Sequence, residues 1–586
     1  MRDLAYLKLL SREYPNIRAA ASDIINLQAI CGLPKGTEYF FSDLHGEHEA
    51  FIYLLRSSSG IIREKIRETF GHIISEEDEV RLANLIYYPE KMINQIKQAN
   101  EYTEDWQKTA VYRLVQICRE VSSKYTRSKV RKKMPREFSG VIDELLYVDN
   151  TDDNKTEYYS ELINTLIDVR VADSFIVVIC SLIRSLTIDN LHILGDIFDR
   201  GPRPDIILEE LMHFHDVDIQ WGNHDISWMG AATGNRACIC NVLRMALGYN
   251  GFDVLEDGYG INLRPLSMFA ERVYRDDPCT CFLPQILDKN IYDAVDPKLA
   301  AKMHKAIAVL QYKEEGQIIK RHPEYGMEER ILLSAIRYDR GTVTIDGKEY
   351  PMRDMNFPTV DPADPLRLTD EEEELLHTLE LSFRHNARLH EHVRFLYSNG
   401  SMYKCCNSNL LYHGCIPMTE NREFDGLMVG GKMYRGKELM DFIDTQVKNA
   451  YFLPEDAPEK EACRDFMWYL WNGAKSPVFG KDKNRSFEHY FIEDPEVMRE
   501  TMNPYYQLSE EEETCDMILK EFGLPTKGSH IINGHMPVKI KSGETPIRAG
   551  GKLFIIDGGL SKAYQERTGI AGYTLIFNSH HLALAE

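Results

Sequence analysis

The sequence predicts an α/β protein, a sheet-based core interrupted by large insertions, and two observations carry that reading. Short apolar runs of strand length recur along the chain, each ending in a polar cluster. Long intervals between them carry apolar residues at helical spacing. Strands that end in polar loops suit the rule that sites in α/β folds lie beyond the strand ends.

The strand-like runs come in order. Glu38–Phe41 leads into Ser42-Asp43-Leu44-His45-Gly46, Leu191–Leu194 into Gly195-Asp196, and Val217–Trp221 into Gly222-Asn223-His224-Asp225. Leu410–Tyr412 leads into His413-Gly414, Ile531–Ile532 into Asn533-Gly534-His535, and Leu553–Ile556 into Asp557-Gly558-Gly559. The interval after the first run reads helical: Ser75 with Asp78 resembles a capping box, and Val80–Val121 has helical periodicity. The interval after the third is mixed. Gly341–Met352 alternates around Asp346-Gly347, a hairpin signature, and Thr369 with Glu372 opens a helix toward Tyr397. A further helix is expected from Ser509 with Glu512.

Bulk properties exclude several classes. The 586 residues carry 91 acidic against 69 basic side chains, a net charge of −22, which repels a phosphate backbone and argues against nucleic-acid binding. The basic run Lys124–Arg136 is open to a polyanion contact, but a solvated helix face or loop is the plainer reading. No run of 18 apolar residues suggests a membrane span, and Met1–Arg18 lacks the apolar segment of a signal peptide, so a cytoplasmic address is expected. Twelve cysteines show no framework spacing and read as reduced thiols.

The polar clusters carry the chemistry. Asp43-Leu44-His45 alone is a weak signal. Gly195-Asp196-Ile197-Phe198-Asp199-Arg200-Gly201 is far more specific, with two acids, an arginine and two glycines directly after an apolar run. Taken in order, Asp-x-His, Gly-Asp-x-x-Asp-Arg-Gly, Gly-Asn-His, His-Gly and Gly-His resemble the calcineurin-like metallophosphoesterase superfamily, in its phosphoprotein-phosphatase-like branch. The resemblance implies a four-layer α/β/β/α sandwich. The expected core joins 19–48, 189–225 and 409–582, with a helical insertion at 49–188 and a mixed α/β insertion at 226–408 that wall the site.

Physical chemistry agrees with what the resemblance implies. Phosphate-ester hydrolysis is very slow unaided, and two metal ions about 3.5–4 Å apart can clamp the attacking and departing oxygens. The implied cofactors are two divalent ions, with Asp196 as the bridging carboxylate. Asp43 and His45 complete one ion's ligands, and Asn223, His413 and His535 the other's. Oxygen and imidazole donors suit Mn2+, Fe or Zn2+ better than Ca2+. A hydroxide held between the ions is the expected nucleophile. By resemblance His224 is the general acid, oriented by Asp199, with Asp225 a second orienting acid, and Arg200 presents its fork to phosphate oxygens. The family usually has Glu after Gly-Asn-His, so Asp225 is a departure.

Around these blocks, Phe40–Phe51, Leu191–Pro202, Gln220–Asn235, Trp471–Lys483 and Asn533–Tyr573 are similar to the class III fructose-1,6-bisphosphatases of bacteria. That implies hydrolysis of fructose 1,6-bisphosphate to fructose 6-phosphate in gluconeogenesis, with manganese as the usual activator. A sugar bisphosphate needs a second anion site. Lys475, Lys481 and Lys483, in a glycine-rich stretch, and Lys552 are the candidates, with an exposed basic loop as the alternative. Two other readings stay open: a related phosphatase acting on phosphoproteins or dinucleoside polyphosphates, and a non-catalytic metal-binding scaffold. A homo-oligomer is admitted without being required.

Overall fold

The computed structural model describes residues 2–57, 60–147, 153–286, 296–562, 572–579 and 581–585. Part of the stretch Asn533–Tyr573, residues 563–571, lies outside the described residues. The protein is mixed α/β. Among the described residues no helix is long and apolar enough to cross a membrane. All twelve cysteines are free thiols.

The chain forms two compact units. The first comprises 1–39, 55–191 and 576–585, the second 40–54 and 192–575. The first is helical where its core is densest, with Ile66, Val111, Leu114, Ile117, Phe175 and Ile179 completely buried in one cluster. The expected Val80–Val121 periodicity resolves into three helices, Glu76–Tyr87, Pro89–Gln98 and Glu104–Ser122. Ser75 caps the first by accepting from Asp78 N. Pro89 lacks an N–H to continue that helix and so opens the second, and Thr103 caps the third. Most of the basic run becomes the short helix Arg127–Lys133. Lys129 and Lys133 pair with Asp189 at 2.8 and 3.2 Å, and Arg131 with Asp143, so that much of its charge is met within the unit.

The strands that matter to the site follow the expected order. They are β1 (Glu38–Phe41), β2 (Asn190–Ile193), β3 (Val217–Gln220), β4 (Ile336–Arg337), β5 (Thr342–Ile345), β6 (Lys348–Pro351), β7 (Gly400–Ser401) and β8 (Tyr403–Cys406). After these come β9 (Asn409–Tyr412), β10 (Gly426–Val429), β11 (Lys432–Arg435), β12 (His530–Asn533), β13 (Ile547–Arg548) and β14 (Leu553–Ile555). In one sheet β1, β2, β3 and β7 are consecutive neighbours; a second has the order β13-β14-β12-β9-β8. Within it β9, β12 and β14 are mutually parallel, so the loops after them emerge at one end. The hairpin around Asp346-Gly347 forms as β5 paired with β6.

Two helix expectations are corrected. The helix opened by Thr369 stops at Arg384, and a second, Ala387–Asn399, starts afresh because the Asn386 side chain accepts from Leu389 N and caps it. The helix expected from Ser509 begins at Glu512: Ser509 N–H closes the preceding turn onto Tyr505 O instead.

Glu372 does more than cap. Its Oε2 accepts from Thr369 N at 2.8 Å and from the fully buried Lys313 Nζ at 2.7 Å. Removing one partner of a buried pair strands the other's charge, at a cost of about 3–5 kcal/mol. Glu372→Ala is therefore expected to lower the stability of the second unit by about that amount in urea unfolding. A loss under about 1 kcal/mol, the value of an exposed pair, would show that Lys313 finds other compensation.

Candidate active site

Six of the motif residues stand in left-handed backbone conformation: Asp43, His45, Asp196, Asp199, Arg200 and His535, with φ between 44° and 70°. Each is disfavoured for an L side chain, by about 1–3 kcal/mol, and persists only where the surroundings over-determine it. Main-chain hydrogen bonds that continue beyond the strand ends do so here. Asp43 N donates to Gly195 O at 3.0 Å, His45 N to Asp196 O at 2.8 Å, and Gly534 N to His413 O at 2.9 Å. The result brings together Asp43, His45, Asp196, Asp199, Asn223, His224, His413 and His535, from loops spread over nearly five hundred positions.

The motif glycines are steric requirements. A Cβ on Gly222 would lie 2.1 Å from Asp196 Oδ1, and one on Gly534 would lie 1.8 Å from Ser42 Oγ and 2.3 Å from Asp43 Oδ2. Only a hydrogen at these positions lets the two carboxylates sit where they do.

Around Asp196, each imidazole has one ring nitrogen committed to an oxygen acceptor. His413 Nδ1 lies 2.6 Å from Leu194 O, His535 Nε2 3.1 Å from Phe479 O, and His45 Nδ1 3.3 Å from Phe198 O. His224 Nδ1 lies 2.6 Å from Asp199 Oδ2. A carbonyl or carboxylate only accepts, so these nitrogens carry a proton and leave the opposite nitrogens to face the carboxylates of the cluster. His413 Nε2 then faces His535 Nδ1 at 3.1 Å, Asn223 Oδ1 at 3.3 Å and Asp196 Oδ2 at 3.4 Å. His45 Nε2 faces Asp43 Oδ1 and His224 Nε2 faces Asp196 Oδ2, each at 4.0 Å. The other oxygens are spoken for: Asp196 Oδ1 accepts from His224 N at 3.0 Å, and Asp43 Oδ2 accepts from His535 N at 2.9 Å and from Ser42 Oγ.

Lone pairs that converge need a proton or a cation between them. The donor atoms of Asp196, His413 and His535 lie within 4.8 Å of one another, as do those of His45, Asp196 and His224. Carboxylate, carboxamide and imidazole donors with fixed tautomers fit divalent transition-metal ions, and the carbonyls behind the rings supply the orienting contacts such ligands need. The titration pattern agrees. Burial pulls the His413 pKa down, but Asp196 and Asp43 outweigh it and raise it to about 10. Burial pushes the Asp43 carboxyl up to about 6 and, with the neighbouring His413, pulls His535 down to about 3. Burial also raises the Asp196 carboxyl, yet the surrounding imidazoles win and hold it well below the usual carboxylate range.

Asp225 does not orient His224. Its completely buried carboxylate accepts from Asp196 N at 2.9 Å, Ile197 N at 2.9 Å and Gly222 N at 3.0 Å, so it clamps the two ligand loops together through their backbones. Asp199 holds His224 by itself, and its second oxygen accepts from Trp228 Nε1 at 2.9 Å. The four lysines proposed for the second phosphate all have carboxylate partners: Lys475 with Asp425, Lys481 with Glu500, Lys483 with Asp346 and Lys552 with Asp516. Of these, Lys481 is the one whose charge acts on His535. Arg200 stands over the Tyr249 ring, and burial, followed by the charge of Arg200, holds the His45 pKa well below its ordinary value.

Sequence reasoning missed Trp228, although it lies one turn after His224 on the helix Asn223–Ala232, a spacing that puts both on one face. It named Asp557, two residues beyond β14, in a polar cluster but gave it no role in the site. That carboxyl is buried, and burial together with Asp43 raises it well above its ordinary value. Its place after the third parallel strand was the available signal. The carbonyls of Leu194, Phe198 and Phe479 leave no trace in a sequence.

The family model described as Firmicute fructose-1,6-bisphosphatase matches residues 5–586. The chain is 52% identical over 583 residues to the class 3 fructose-1,6-bisphosphatase of Clostridium tetani, covering 100% of this chain and 88% of that one. It is 52% identical over 585 residues to the protein of the same description from Bacteroides fragilis, with the same coverage of 100% and 88%. No solved structure matches it.

The Asp43 carboxyl sets a pH test. Its folded pKa of about 6 exceeds the ordinary 3.8, so the ion-free fold is favoured by that proton at low pH and loses this contribution as pH rises through 6. A cation must displace the proton below pH 6, which weakens its binding by on the order of tenfold per pH unit. The rise in Tm caused by Mn2+ is therefore expected to be larger at pH 7.5 than at pH 5. An equal rise at both would contradict a cation bound at Asp43.

Proposed function

The chain belongs to the Firmicute fructose-1,6-bisphosphatase family, and from that premise we propose that it hydrolyses fructose 1,6-bisphosphate to fructose 6-phosphate and inorganic phosphate at the cluster around Asp196. The observation that carries this is the set of fixed imidazole lone pairs meeting at one carboxylate, inside a match that runs almost the whole chain.

In this reading the residues 19–48, 189–225 and 409–582 build a four-layer α/β/β/α core, and 49–188 and 226–408 are insertions in its sequence. Asp43, His45 and Asp196 would hold one divalent ion, and Asp196, Asn223, His413 and His535 a second, with Mn2+ the preferred metal. When bound they lower the pKa of attacking water and offset the charge that builds on the phosphoryl oxygens.

The chain's own side chains do the rest. His224 Nε2 gives a proton to the departing sugar oxygen, while its Nδ1–H stays on Asp199, which stabilises the imidazolium before transfer. Trp228 and the buried setting keep Asp199 in that orientation. Arg200 offers its guanidinium fork to the phosphoryl oxygens. For the second phosphate, Lys481 is favoured over Lys475, Lys483 and Lys552, because its charge reaches His535. The phosphate would replace Glu500 as its partner. The reaction belongs to gluconeogenesis, a cytoplasmic setting, and the enzyme works as a monomer or a homo-oligomer.

His224 also stands within ligand reach of Asp196, so its test must separate acid from ligand. His224→Ala is expected to keep wild-type metal content and to lose about 10²- to 10⁴-fold in kcat on fructose 1,6-bisphosphate. Near-wild-type turnover would sink the acid assignment, and loss of metal would make His224 a ligand instead.

A further inference from the structure

The helix Lys460–Asn472 ends beside the cluster. Its penultimate residue, Trp471, is only 7% exposed, and its ring stands edge-to-face with His224, 4.9 Å between centroids and inclined by 73°. The opposite relation holds for the other buried indoles. Trp221 Nε1 donates to Leu396 O at 3.0 Å, Trp228 Nε1 to Asp199 Oδ1 at 2.9 Å, and Trp468 Nε1 to Glu315 Oε1 at 3.1 Å. Trp471 Nε1 is buried with no hydrogen-bond partner among the described residues. An N–H left so costs about 1–3 kcal/mol, and folds seldom keep one without an acceptor.

We propose that Trp471 is a substrate contact whose indole N–H donates to a sugar oxygen of the substrate, on the leaving-group side of the phosphate being cleaved. The proposal rests on the reading of His224 as the acid that protonates the leaving oxygen. That oxygen is bonded to a sugar carbon, so a group packed against the acid meets what lies beyond the leaving oxygen. The indole is also a neutral donor with a broad apolar face, which matches a sugar's hydroxyls and C–H surface. Phosphoryl oxygens have stronger, cationic partners in Arg200 and the metal ions. Trp471 opens the stretch 471–483, whose Phe479 carbonyl fixes the His535 tautomer. One segment thus supports a metal-facing imidazole at one point and touches the sugar at another.

The test uses Trp471→Phe in the full-length, Mn2+-loaded enzyme, which keeps an aromatic plane on His224 and removes the N–H. Activity is followed with p-nitrophenyl phosphate, whose leaving group carries no hydroxyls. Fructose 6-phosphate and inorganic phosphate are titrated separately as inhibitors. The inhibition constant for fructose 6-phosphate should rise roughly 3- to 10-fold, the value of one neutral hydrogen bond. That for phosphate should stay within about twofold. An unchanged constant for fructose 6-phosphate overturns the proposal. An equal shift in both inhibition constants also overturns it, because the indole then distinguishes nothing beyond the phosphate. A wild-type enzyme active on p-nitrophenyl phosphate but inert toward fructose 1,6-bisphosphate overturns the function reading first. Should the variant not fold, the indole N–H resonances of the wild-type protein decide: that of Trp471 should move on adding fructose 6-phosphate and not on adding phosphate, and the reverse pattern refutes the contact.

Discussion

Each imidazole of the cluster hangs on one hydrogen bond to a fixed acceptor, and the rest of the site depends on those bonds. Leu194 O, Phe479 O and Phe198 O hold His413, His535 and His45, and Asp199 holds His224. Were the ring of His413, His535 or His45 free to turn, the nitrogen now facing the carboxylates could point away and be lost to a cation. Three of the acceptors are backbone atoms, so they are placed by the loops themselves and not by the chemistry of any one side chain. Six left-handed residues in the same loops carry part of the conformational cost of the site.

The same constraint explains the spacing of the acids. Asp196 spends one oxygen on His224 N and leaves the other toward His413. Asp43 spends one on His535 N and leaves the other toward His45. Each carboxylate therefore ties two loops by backbone bonds and still presents a free oxygen. Asp225 makes this arrangement rigid by gripping Asp196, Ile197 and Gly222 through their amides, a role in which the shorter side chain at this position reaches three donors at 2.9–3.0 Å.

Much of this was legible in the chain. Strands could be read because short apolar runs broke on Gly, Asp, Asn and His, and the turn residues that follow a strand are the ones that carry the chemistry. Asp43, His45, Asp196, Asn223, His413 and His535 were named from residue type, order and the resemblance to metallophosphoesterases, and the structure gathers them. Helix ends were harder. Ser509 looked like a cap, yet its amide was already taken by Tyr505 O, a competition that only the local turn reveals. Asp225 looked like a partner of His224 because it is adjacent in sequence, but side chains at consecutive helix positions point about 100° apart. The lysines were named for their charge, and every one meets a carboxylate from a distant segment, which no local pattern could announce. Trp471 stood out only as the first residue of a stretch similar to the class III enzymes, since its interest lies in a contact it does not make within the chain.

The central claim is that fixed lone pairs around Asp196 exist to hold cations. Anomalous diffraction from crystals grown with Mn2+ tests it most directly. The account predicts two peaks flanking Asp196 Oδ2, one within coordination distance of His413 Nε2 and His535 Nδ1 and the other of His45 Nε2. A fully loaded, active enzyme with no peak beside Asp196, or with those imidazoles flipped so that the nitrogens now on Leu194 and Phe479 do the binding, would contradict it.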